Sequence, residues 1–182
     1  MEESSKEIVD LTKKLHEIVL ERWLKSEVFT WQWFTIVIIF LSFWYVGIRF
    51  IDRKRIFRLS GYAFFVTIVT MILDVAGTCT SLWYYPIKAL PYIPRLLPTD
   101  IAVVPVTYML AYQKFPKWKS FLIAMTVISL IFTFVAEPLM ALMGLYILLK
   151  WKYIYSFPIY IFIGVLSKSF FDFMERKQSK LL

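Results

Sequence analysis

The chain of 182 residues contains a single cysteine, Cys79, and a single histidine, His16. One cysteine excludes a disulfide within this chain, a CxxC redox pair and a cysteine metal cluster. Because His16 lies outside the long apolar segments, a site within those segments cannot use imidazole for Ser–His catalysis or for binding a metal. The sequence also lacks GxGxxG and GxxxxGK[ST], so nothing in it indicates a phosphate-binding nucleotide loop.

Charged residues are scarce as well, at 19% of the chain, whereas hydrophobic residues make up 59%. Soluble domains are roughly 45–50% apolar even when glycine is counted, and a small soluble fold leaves much of its surface in water. The mean hydropathy of +0.64 agrees with this comparison. The composition therefore predicts an integral membrane protein, and the length suits four to six spans of about 20 residues.

The apolar runs predict an all-α integral membrane protein in which about five transmembrane helices form one domain over residues 28–182. The predicted spans are 31–50, 56–80, 99–113, 120–149 and 157–173. At ~1.5 Å per residue the third would reach only about 22 Å, and the fourth would reach about 45 Å. We expect helix breaks at Pro105 and at Glu137-Pro138, because a proline removes one hydrogen bond of the helix backbone.

Residues 1–27 form a separate segment and predict an amphipathic helix in front of the spans. Ile8, Leu11, Leu15 and Ile18 recur at the three-to-four spacing of one helix face. One interpretation is a docking helix for another membrane protein or for a second copy of this chain. The interpretation that we favour is a helix lying on the surface of the lipid bilayer or packed on the bundle of spans.

Basic residues crowd the ends of the predicted spans, and residues 28–182 carry sixteen Lys/Arg against six Asp/Glu. In a membrane protein such residues fix topology and touch anionic lipid, so we predict no nucleic-acid partner. With five spans and the N-terminal segment left aside, twelve Lys/Arg fall on the side of the C-terminus and four on the other. The positive-inside rule then predicts a cytoplasmic C-terminus and an external N-terminus.

Three acidic residues in or beside the spans, Asp74, Asp100 and Glu137, are the candidate site. Asp74 lies 18 residues beyond Ile56 and Glu137 lies 18 residues beyond Lys119, which places both about 27 Å from the inner boundary, in the outer half of the bundle. Asp100 begins the third span from the same side. Pro138 would free a backbone carbonyl beside Glu137. This pattern predicts a polar site for a cation, a proton or a small ligand, and neighbouring carboxylates there could share a proton.

A purely structural role for these acids is the alternative. Asp100 follows Pro98-Thr99 and suits a helix start. The acids could also pair with basic residues of the outer loops, namely Lys88, Arg95, Lys150 or Lys152. Carboxylates and hydroxyls suit Mg²⁺ or Ca²⁺, but no ligand spacing here is diagnostic, so we predict neither a metal nor a cofactor. Lys168 and Asp172 are spaced to pair on one helix face, and Lys168 could instead extend to the interface.

The second half of the chain resembles a known family. The residues that carry the resemblance are Pro98-x-Asp100, Pro105-x-x-Tyr108, Tyr112-Gln113, Trp118, Glu137-Pro138, Tyr146, Trp151 and Tyr155-Ser156-Phe157-Pro158. Over residues 74–170 the chain resembles an uncharacterised family of small multi-pass membrane proteins from Bacillus- and Clostridium-type endospore-forming bacteria. The resemblance implies a location in the bacterial plasma membrane, and it supplies neither an activity nor catalytic residues.

Three functions remain open from the sequence. A binding or transport module with a carboxylate-lined site is favoured. The alternative is a structural or regulatory membrane subunit without its own chemistry. A membrane enzyme acting on a lipid or isoprenoid substrate ranks last, since no DGxxAR-like, HxxxxD-like or EExxxR-like pattern is present, and its catalytic residues would be unknown.

Overall fold

The computed structural model describes residues 2–91 and 98–178. It is 82% helical, which confirms the predicted all-α class. Within the described residues the helices are α1 (Glu2–Arg22), α2 (Trp31–Phe50), α3 (Ile56–Cys79), α4 (Val104–Lys114), α5 (Trp118–Ile131), α6 (Glu137–Leu142) and α7 (Tyr153–Gln178).

Within residues 2–91 and 98–178, four helical stretches are long and apolar enough to cross a membrane, which agrees with the predicted membrane class. They are Trp31–Phe50, Arg53–Cys79, Trp118–Leu142 and Tyr153–Lys177. The fourth predicted run, 120–149, is helical only to Leu142, because Gly144 then takes a left-handed φ of 72° and the chain turns away. The predicted third span is not one of the four stretches.

The short helix α4 lies in the middle of the bundle, in contact with α2, α3 and α5. Both its faces are buried, so it lacks the polar face of a surface helix. Its Tyr112 ring stacks on that of Tyr62 from α3 at 4.3 Å between centroids. On the opposite flank, the absent side chain of Gly47 lets α2 approach Val106 closely. α4 is therefore the element around which the longer helices pack.

In the part of the chain that the structure describes, three π-helical turns interrupt the α-helices, at Trp23–Glu27, Thr99–Val103 and Phe132–Ala136. The last two each stand just before a predicted helix break, Pro105 or Pro138, and the chain stays helical through both prolines. A proline cannot donate to the carbonyl four residues earlier, and a wider turn accommodates the lost bond. At the two predicted breaks the helix therefore forms a π turn and does not end. Asp100 stands within the first of these two turns, and Glu137 directly follows the second.

A two-stranded antiparallel sheet closes one end of the bundle. Strand β1 (Trp83–Tyr84), in the loop after α3, pairs with strand β2 (Ile147–Leu148), in the loop after α6. The sheet joins the loops that follow the helices carrying Asp74 and Glu137. The opposite end of the bundle holds the end of α2 and the start of α3, with the basic residues 53–55 between them.

Helix α1 leads into the π turn Trp23–Glu27, which is fastened to the bundle through Glu27. This side chain is buried and accepts from the backbone N–H of Lys88 at 3.0 Å, while Arg22 lies 3.2 Å from it. The Trp23 indole donates to the Lys88 carbonyl at 3.0 Å. Nothing in the sequence context of Glu27 distinguishes it from the other acids of this segment, so its role could not be predicted from the sequence.

Candidate functional site

A cavity of about 430 Å³ lies at the end of the bundle closed by the two strands. Its walls come from α2, α3, the π turn before α4, α7, and the continuous helical stretch Trp118–Leu142, which comprises α5, a π turn and α6. We call this stretch the α5–α6 helix. Asp74, Asp100 and Glu137 all line this cavity. The sequence predicts that the three acids lie at one level, because their depths along the helices match. The structure adds the rotation of each helix, which turns all three side chains toward one cavity.

Asp74 is buried near the end of α3 and is held by the loop that follows its own helix. Its Oδ1 accepts from the Trp83 indole at 2.9 Å and from the Tyr85 hydroxyl at 2.8 Å. Burial raises the pKa of the Tyr85 hydroxyl well above its usual value, and the charges of Asp74 and Asp100 raise it further. Tyr85 therefore keeps its proton and remains a hydrogen-bond donor toward Asp74.

Glu137 is the first residue of α6, and only 7% of it is exposed. Its Oε1 accepts from the Tyr160 hydroxyl at 2.8 Å, and its Oε2 accepts from the Ser156 hydroxyl at 3.1 Å. The Trp151 indole donates in turn to the Ser156 hydroxyl at 3.0 Å. All these donors are neutral, and no ion pair within the described residues involves Glu137.

The donors to Asp74 and Glu137 meet above the cavity. The rings of Trp83 and Trp151 pack edge to face with centroids 5.3 Å apart. Asp74 thus accepts hydrogen bonds directly from one phenol and one indole. Glu137 accepts directly from one phenol and one serine hydroxyl, and that hydroxyl accepts in turn from an indole. Tryptophan and tyrosine are common at membrane interfaces whatever their contacts, so their residue types alone do not predict these hydrogen bonds, which the paired strands β1 and β2 bring together.

Asp100 is buried in the first turn of the π segment Thr99–Val103. Its backbone carbonyl accepts from the Thr70 hydroxyl of α3 at 3.3 Å. A carboxylate in the first turn of a helix is stabilised by the helix dipole. Asp100 thus stands in a first helical turn and also forms part of the cavity wall, so both roles considered for it stay predictions.

Of the basic residues that could pair with these acids, one pairs with a different acid and two are exposed. Lys88 lies beside Glu27, with Nζ 3.9 Å from Oε1, and Lys150 and Lys152 are exposed. Arg95 falls outside the described residues. Within residues 2–91 and 98–178, no group of three His, Cys, Asp or Glu side chains is placed to hold a metal ion.

The chain matches no family model, curated protein or solved structure. The resemblance to membrane proteins of endospore-forming bacteria stays a prediction. The chemistry of the site follows from its own groups: three carboxylates that attract positive charge, neutral donors that orient two of them, and a wall that is otherwise largely apolar or aromatic.

Lys168 is a buried basic residue near the opposite end of the bundle, and it is 2% exposed. Its Nζ donates to the Pro116 carbonyl at 3.0 Å and lies 3.2 Å from Asp172. The rings of Tyr112, Trp118 and Phe121 surround the ammonium at 4.9–5.3 Å. The structure shows the pairing with Asp172 and not the extension to the interface. Because this charge is paired and enclosed, it holds α7 to the loop between α4 and α5.

Proposed function

We propose that this protein is a membrane-embedded binding or transport module for a proton, a cation or a small positively charged ligand. The observation that carries the proposal is the environment of Glu137, a buried carboxyl on a membrane-spanning helix that faces a cavity and contacts only neutral donors. An ionised carboxylate in such surroundings is costly unless a positive charge or a proton joins it. Asp74 and Asp100, on two other elements of the wall, add to the negative potential of the cavity.

The proposal includes the placement of the chain in the membrane. We infer a bacterial plasma-membrane protein with its C-terminus in the cytoplasm, in which residues 99–114 act as a short fifth span enclosed by the other four. The excess of Lys/Arg at the end opposite the cavity supports this orientation. The cavity then lies in the outer half of the bundle.

Substitution of Glu137 by glutamine tests the proposal. Purified protein in neutral detergent is unfolded by heat across pH and in a panel of monovalent and divalent cations and small ammonium salts. We expect the wild type to gain stability under at least one of these conditions, because a ligand that binds only the folded state stabilises it. Glu137→Gln and Asp74→Asn are expected to fold and to lose that response.

The matched control is Glu17→Gln, which removes one carboxylate from the exposed surface of α1 and should respond as the wild type does. If Glu137→Gln and Asp74→Asn both unfold and no condition stabilises the wild type, the acids only hold the helices together and the binding function is wrong.

A second candidate function, a structural or regulatory subunit, is favoured by helix α1. Its residues Ile8, Leu11, Leu15 and Ile18 are all exposed, as expected of a helix that covers its apolar face with lipid or with another membrane protein. On this alternative, Leu11→Asp with Leu15→Asp is expected to abolish co-purification of a membrane partner, or self-association measured by light scattering. Thr12→Asp, which adds a charge to the same helix, should leave the assembly intact. Unchanged assembly in the double variant would contradict the alternative.

A further inference from the structure

We propose that the ligand of this cavity is an amphiphile with an ammonium head and an apolar chain, and that it enters sideways from the bilayer. The inference rests on the proposed function and specifies its ligand class. It is carried by the size of the cavity, by the way its lining changes along the helices, and by two of its lining residues that also form the outer surface of the bundle.

The size of the cavity favours an organic ligand over a bare ion. Its volume of about 430 Å³ is far larger than one ion needs and falls within the roughly 300–1,000 Å³ of clefts that hold small organic molecules. Apolar atoms of the ligand would have to fill most of this space, because most of the lining residues are apolar or aromatic.

Along two of the cavity's walls, the helix Trp118–Leu142 and α7, the lining changes from polar to apolar. Glu137 and Ser156 stand at the end near the paired strands, whereas Ile131 and Ile163 line the cavity farther along the same two helices. Six or seven residues of helix separate the two levels, a distance of about 10 Å. A ligand that matches this lining has one polar end and an apolar body of about that length.

The charge of the polar end follows from the three acids that line the cavity, Asp74, Asp100 and Glu137. Three carboxylates would repel an anionic head such as a phosphate or a fatty acid. An ammonium group can donate to Glu137, whose present donors leave acceptor capacity on both oxygens. Trp83 and Trp151 also line the cavity, and an indole ring attracts a cation placed over its face.

The outer surface of the α5–α6 helix provides the route from the lipid. Ile131 and Leu139 line the cavity and are nevertheless 50% and 53% exposed. They lie eight residues apart, on one face of the helix. The cavity wall therefore reaches the surface that faces the acyl chains, where an amphiphile is already concentrated and aligned.

The test is thermal unfolding in a maltoside detergent with four probes at equal concentration: dodecylammonium, dodecanol, methylammonium and sodium. We expect dodecylammonium alone to raise the unfolding midpoint of the wild type, by on the order of 5 °C at saturation. Glu137→Gln should abolish this shift. Leu139→Trp, which fills the lipid-facing side of the wall, should remove most of it. Val135→Trp is the control, since Val135 is exposed on the same helix and does not line the cavity.

The outcomes separate the ligand class from the proposed function. If methylammonium or sodium shifts the unfolding midpoint at least as much as dodecylammonium does, and Glu137→Gln abolishes that shift, the amphiphile is overturned. The carboxylate site is then kept. An equal shift with dodecanol, or one that survives in Glu137→Gln, overturns recognition of the charge and both proposals with it. Equal behaviour of Leu139→Trp and Val135→Trp overturns lateral access. If none of the four probes shifts the unfolding midpoint, the amphiphile is overturned. The wider panel of pH and cations then decides the function.

Discussion

Replacing Lys168 by alanine is expected to lower the free energy of unfolding by about 3 kcal/mol, the lower end of the range for breaking a buried ion pair. The Pro116 carbonyl loses its donor, and the ring faces of Tyr112, Trp118 and Phe121 lose the cation that they enclose. The loss stays near the lower limit because Asp172 keeps the Tyr112 hydroxyl at 3.3 Å. Equilibrium unfolding in mixed micelles measures the change.

Two variants separate the charge of Lys168 from its bulk. Lys168→Met keeps most of the apolar stem, so the difference in stability between the methionine and alanine variants reports the packing of the stem. Lys177→Ala, at an exposed position of the same helix, should cost well under 1 kcal/mol. A Lys168→Ala protein as stable as the wild type would show that the enclosed ion pair contributes nothing to the fold.

The second large effect is expected from Gly77→Ala on α3. A Cβ atom at residue 77 would overlap the indole ring of Trp83, so the ring must move away. That movement breaks its hydrogen bond to Asp74 and its edge contact with Trp151. Forcing extra atoms into a packed site typically costs 1–3 kcal/mol, and we expect a value of about 3 kcal/mol here because a hydrogen bond is lost as well.

The measurement for Gly77→Ala combines thermal unfolding with tryptophan emission, which should shift to the red as Trp83 leaves its buried contact. The matched control is Gly61→Ala on the same helix, where an added Cβ would meet the Phe171 ring at an ordinary 3.5 Å. Wild-type emission and stability in Gly77→Ala would mean that Trp83 is not packed against α3 as described.

The sequence predicts the membrane class and the long helices well, because the length and hydropathy of an apolar run are local properties. It predicts α4 less well. A helical segment of only 16 residues, with its proline and its π turn, depends on the longer helices that pack around it, and that packing is a tertiary feature. The paired strands β1 and β2 were likewise not predicted, since two residues a side give no periodic signal.

The candidate acids could be named from the sequence because a charge within an apolar run stands out. Counting residues gave their depth, but not the direction in which each helix turns its side chains. The hydrogen-bond donors could not be predicted in the same way. Tyr160 and Ser156 donate to Glu137 from 23 and 19 residues away, and their residue types are also common in interfacial belts. The rings around Lys168 come from two other helices, so only the assembled fold brings them together.

The walls of the cavity differ in how firmly they are held. Paired strands and packed indoles tie the α3 side to the α6–α7 side, whereas α2 is the least buried of the four long helices and packs against α4 and the π turn before it. A weakly held helix is the part of a structure that yields first. Lateral pressure in the bilayer therefore acts on the cavity chiefly through α2. We expect a membrane with a higher lateral pressure on this helix to reduce the cavity volume that is open to a ligand. The lipid composition would then set the affinity of the proposed site.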